Sequence, residues 1–78
     1  MDAQTIEPAV KACLVEIHTK LKEACRIAAA AQACAEAGSF AEAVQVSMDI
    51  EQLIYYAGRL HDAVCLLGRL SRSWIVLS

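Results

Sequence analysis

Gly38-Ser39-Phe40-Ala41-Glu42 is the stretch that decides the fold. Gly38 can take the left-handed backbone that ends a helix without a Cβ clash. Ser39 is a good N-cap, and Glu42, three residues on, completes a capping box for a new helix. Helical pattern runs on both sides, so the spacing predicts a tight helix–helix corner near the middle of a single 78-residue domain.

Outward from the corner, the N-terminal arm is predicted helical from about residue 6 to 37. Thr5 is the expected N-cap, with Pro8 in the first turn, where a missing N–H costs nothing. Apolar residues recur every three or four positions, at Val10, Leu14, Ile17, Leu21, Ala24, Ala28, Ala31 and Ala35. The C-terminal arm, about 40–70, carries a matching seam: Ala43, Val46, Ile50, Leu53, Ala57, Leu60, Val64 and Leu67. Such heptads mark a face that packs against another helix. Folded back at the corner, facing residues have numbers adding to 77 or 78, as in Ala31 with Val46, Ala28 with Ile50 and Leu21 with Ala57. The corner, found from capping chemistry, sets the same value. The expected fold is therefore an all-α antiparallel helical hairpin. Gly68 is either a weak point of the second helix or its cap, followed by an apolar tail over 71–78.

One seam cannot use all the apolar residues. Hydrophobic residues make up 58% of the chain and mean hydropathy is +0.42, so a two-helix rod would leave much apolar surface in water. Val15, Ile27 and Val44 also lie off the pairing line. Met48, Ile54, Tyr55, Tyr56, Leu66, Leu70 and Trp74 lie off it or at its end and are the expected interface residues. Two hairpins closing into a homodimeric four-helix bundle is the simplest remedy, and docking on another protein is the alternative. The layout resembles, in topology alone, small dimeric hairpin proteins of the type of the plasmid RNA-binding protein Rop.

Chemistry-bearing patterns are few. Cys13, Cys25, Cys34 and Cys65 form no C-x-x-C, and no two face each other across the hairpin, so no intrachain disulfide is expected. His18 and His61 each follow a seam position of one layer, and Cys65 lies one turn beyond His61. These three are weak candidates for gripping a zinc or copper ion. A bundle that binds a metal or small ligand is thus the alternative function, though no cofactor is called for. Glu-x-x-His pairs of di-iron bundles are absent, as are phosphate-cradling glycine loops. Net charge of −2 gives no global field for nucleic acid, and Lys11, Lys20, Lys22 and Arg26 are interleaved with Glu16 and Glu23. A nucleic-acid-binding hairpin dimer is therefore the least supported reading. Acids alone (Glu36, Glu42, Asp49, Glu51) occupy the corner, whereas Arg59, Arg69 and Arg72 face only Asp62 beyond it. No signal peptide or bilayer-length apolar run is visible, so the expectation is a cytoplasmic, non-enzymatic interaction module.

Overall fold

The computed structural model describes residues 3–77, with side chains placed from Gln4 to Arg72. It is a hairpin of two helices, α1 (Ala3–Glu36) and α2 (Phe40–Leu77). The rod measures 60 × 14 × 14 Å.

The corner follows from backbone chemistry. Gly38 has φ of 87°, the conformation a side chain would resist. Its N–H donates to the Ala35 carbonyl at 3.0 Å, and the Ser39 N–H donates to that of Cys34 at 2.9 Å. These are the two bonds of a Schellman motif, which satisfies carbonyls that α1 would otherwise leave open. The Ser39 carbonyl accepts the first bond of α2 from the Ala43 N–H at 3.0 Å. Glu42 stands in the first turn of α2, where its charge favours the positive end of the dipole.

Both helices are longer than the sequence predicts. α1 begins at Ala3, so Thr5 is inside the helix and not its cap. Pro8 accordingly sits in the second turn, where its ring removes the bond to the Gln4 carbonyl. Ile6, only 3% exposed, holds these first turns on α2 and offsets that loss. α2 continues past Leu70 to Leu77, so residues 71–77 are helix and not a separate tail. Gly68 takes no left-handed conformation and is neither cap nor stop.

The α2 seam lies where the periodicity puts it: Ala57 is buried, and the other seven positions from Ala43 to Leu67 are half-buried. The α1 seam needs correction. Its buried and half-buried positions are Val10, Cys13, Ile17, Lys20, Ala24, Ile27, Ala31 and Cys34, and Ala35, expected there, is half-buried beside Cys34. Leu14, Leu21 and Ala28, expected on the seam, are exposed. The seam is rotated by one residue at every second position, and each facing pair now sums to 77: Lys20 with Ala57, Ile27 with Ile50, Cys13 with Val64. A lysine can hold such a place because its stem covers the small Ala57 while the ammonium leaves the seam. Its Nζ lies 5.9 Å from the centre of the Tyr56 ring and 3.5 Å from Glu16.

Among the described residues the buried core is small: Ile6, Ala24, Ala31 and Ala57. Three of these four are alanines, so the helices approach closely yet withdraw little apolar area from water.

Candidate functional site

With the seam fixed, heptad positions assign every other residue to one side of the rod. Seam residues occupy positions a and d. Positions e and b then form one flank of the hairpin, and g and c the opposite flank.

The e/b flank carries most of the exposed large apolar residues: Leu14 and Leu21 from α1, and Phe40, Val44 and Ile54 from α2, with Ala28, Ala35, Gly58 and Gly68 between them. Polar residues share it, among them Lys11, His18, Gln32, Ser47, Glu51, His61 and Arg72. Phe40 is 68% exposed and Val44 63%, more than any other large apolar side chain described. At the open end this flank contains a hollow of about 570 Å³, open to one side. Its walls are mostly apolar, from Ile6, Val10, Leu14 and Val15, with His18, Glu7 and Lys11 at the edges. Among the described residues, α2 contributes Gly68 and Ser71 there, both small. A Cβ added at Gly68 would meet nothing within 4 Å.

The g/c flank is different in kind. It carries Glu16, Glu23, Arg26, Glu42, Asp49 and Arg59, and several of these are already engaged. Arg26 pairs with Glu23 at 2.8 Å, and Lys20, from the edge of the seam, with Glu16. Tyr56, Leu66 and Leu70 are exposed here. The Tyr56 ring meets Tyr55 edge-on, 5.6 Å between centres.

The expected interface residues are thus distributed unevenly. Met48, Ile54, Tyr55, Tyr56, Leu66 and Leu70 are all exposed in the hairpin. Only Ile54 lies on the e/b flank. Met48 and Tyr55 are at position f on the outer face, where with Glu51, Gln52 and Tyr56 they line a shallow depression. Trp74 is in helix, but its side chain falls outside the described residues. The sequence reading placed Leu14 and Leu21 in the seam and left Phe40 unassigned. The signal for the first two was available: moving to Cys13 and Lys20 makes every pairing sum agree with the corner.

The metal candidates come together only in part. His61 Nε2 lies 3.7 Å from Cys65 Sγ, as their one-turn spacing implies. His18 instead edges the hollow. No group of three or more His, Cys, Asp or Glu side chains that could hold an ion occurs among the described residues. Zinc takes four ligands in structural sites, and this pair supplies two. All four cysteines are free: Cys13 and Cys34 half-buried on the seam, Cys25 and Cys65 exposed. No described helix is long and apolar enough to cross a membrane.

No family model, curated protein or solved structure matches this chain.

Proposed function

We propose that this chain is a non-enzymatic interaction module that works by pairing helices, and that its first partner is a second identical hairpin in a four-helix bundle. The observation that carries the reading is the imbalance between a four-residue core and the apolar flank of Leu14, Leu21, Phe40, Val44 and Ile54. Small single cores leave at most about 3–5 kcal/mol net, and oligomerisation is a usual remedy. A face 60 Å long and 14 Å wide offers about 800 Å², what one partner brings to a standard interface.

Light scattering over a dilution series tests it. A stable mass of twice 8.4 kDa supports the homodimer. A monomer that remains folded at all concentrations refutes it and directs the search to a different protein on the same flank. The metal-binding alternative rests on His61 and Cys65 alone. Zinc titration by calorimetry with no heat, and no rise in melting temperature, disposes of it.

A further inference from the structure

Resting on the homodimer reading, we infer that the two hairpins pack antiparallel through their e/b flanks, so that the corner of each covers the apolar hollow of the other. Charge along the rod and shape along each helix point to this arrangement and away from one with both corners at the same end.

The first is charge. From Glu36 to Glu51 every charged residue is an acid; Glu51 lies on the e/b flank, Glu42 and Asp49 on the g/c flank and Glu36 on the outer face, with Arg26 level with Glu51. The open end carries Lys11, Lys20, Arg59, Arg69 and Arg72 against Glu7, Glu16 and Asp62. Corner beside corner would gather eight carboxylates at one end. Corner beside open end sets the acidic end against the basic one, a long-range preference, since Glu42, Asp49 and Arg59 lie on the far flank and act across the width of the rod.

The second is shape along α2. Turning one hairpin end for end about a two-fold axis through the level of Leu21 lays α2 on the partner's α2. Val44 then comes level with the partner's Gly68, and Ile54 with the partner's Gly58. A Cβ at either glycine would meet nothing within 4 Å in the single hairpin, so both positions are open to receive a side chain. Phe40 arrives beside the partner's Arg72 at the mouth of the hollow, where a guanidinium can lie against the ring. Large residues thus meet absent ones, as close packing requires.

The third is shape along α1. The same rotation brings Leu21 against the partner's Leu21, and Leu14 against the partner's Ala28. The Leu21 pairing follows from placing the axis at that level, and the Leu14 pairing is apolar and again large on small. A two-fold interface must be self-complementary, and this flank is.

Distance between the corners separates the possibilities. Light scattering on the unaltered chain comes first, and a monomer there overturns both the homodimer and this inference. Given a dimer, a nitroxide is attached at Ala37→Cys, with Cys13 and Cys34 changed to alanine and Cys25 and Cys65 to serine. Pulsed dipolar spectroscopy then reads the label separation. With the axis level with Leu21, Ala37 lies 16 residues from it, so antiparallel packing predicts a separation of about 50 Å. A separation within roughly 20 Å, two helix spacings, overturns the antiparallel inference while leaving the dimer standing. A second test leaves the cysteines untouched. Gly68→Leu fills the hollow and replaces a poor helix former with a good one, so helicity by circular dichroism should hold or rise. The dimer dissociation constant should rise at least about tenfold, as for loss of an interface anchor. Phe40→Ala should act in the same direction. Unchanged dissociation constants in both variants would show that the hollow is not where the partner sits.

Discussion

The two flanks of this hairpin are built from the same two helices and the same heptads, yet they solve opposite problems. On the g/c flank, Glu23 grips Arg26, and Lys20 leaves the seam to reach Glu16 and Tyr56. Its charges pair within the chain or meet water, and Tyr56, Leu66 and Leu70 are the large apolar residues left exposed there. The e/b flank has Leu14, Leu21, Phe40, Val44 and Ile54 in the open, a hollow at the open end, and two glycines. That surface is complete only when something covers it. Amphipathicity within one helix is therefore too coarse a description: polarity here is distributed by flank of the pair.

The most forceful way to break the comparison is a charge on the apolar flank. Leu21→Asp should abolish dimerisation, raising the dissociation constant on the order of 100-fold or more, since two carboxylates would meet at the two-fold axis. Sedimentation equilibrium checks it. A dimer that survives would mean that the e/b flank is not the interface.

Next in size is a test of the seam against that flank. Ala24 is 7% exposed and packed between the helices, so Ala24→Leu should cost about 1–3 kcal/mol of hairpin stability through overpacking. Ala28 is exposed, so Ala28→Leu should change the stability of the isolated hairpin by no more than about 0.5 kcal/mol. Urea melts across a concentration series compare the two, and equal costs at the lowest concentration would put Ala28 back in the seam.

A smaller effect sharpens the account of glycine. Gly68→Ala adds a methyl where nothing lies within 4 Å and should raise hairpin stability by about 1 kcal/mol. Thermal melts would read this directly, and a loss of stability would show that the backbone there is not ordinary helix.

The smallest effect belongs to the g/c flank. Glu16→Gln removes a partly exposed ion pair with Lys20 and should shift stability by less than about 0.5 kcal/mol, with dimer affinity unchanged. A tenfold change in affinity would mean that this flank also meets a partner.

Much of this was legible in the residues. Gly38 and Ser39 fixed the corner because left-handed backbone and helix capping are local chemistry with few candidate residues. The α2 seam was readable throughout because each of its positions is more apolar than its neighbours. On α1 the same logic failed: Leu14 and Leu21 are more hydrophobic than Cys13 and Lys20, so hydropathy chose the residues facing outward. Competition between two apolar surfaces on one helix is a tertiary matter, settled by how the pair fits around Ala57. The helix ends were misjudged for a related reason. Thr5 is a good cap and Gly68 a poor helix former, but Ile6 at one end and the continuing seam at the other outweigh preferences worth about 1 kcal/mol each. Site chemistry was thinner still. The contact of His61 with Cys65 was foreseeable from spacing, whereas the hollow depends on the small residues Gly68 and Ser71 standing opposite Ile6, Val10 and Leu14.

The Schellman corner also dictates an order of events. Each seam pair is separated in sequence by twice its distance from Gly38, so Cys34 meets Ala43 across a short loop while Val10 must find Leu67 across most of the chain. Loop-closure entropy grows with that separation, so the hairpin should zip from the corner towards the open end. Opening should run in reverse, with amide hydrogen exchange fastest around the hollow and slowest beside the corner. A second hairpin laid end for end would then clamp the fraying end of each chain with the firmest part of the other.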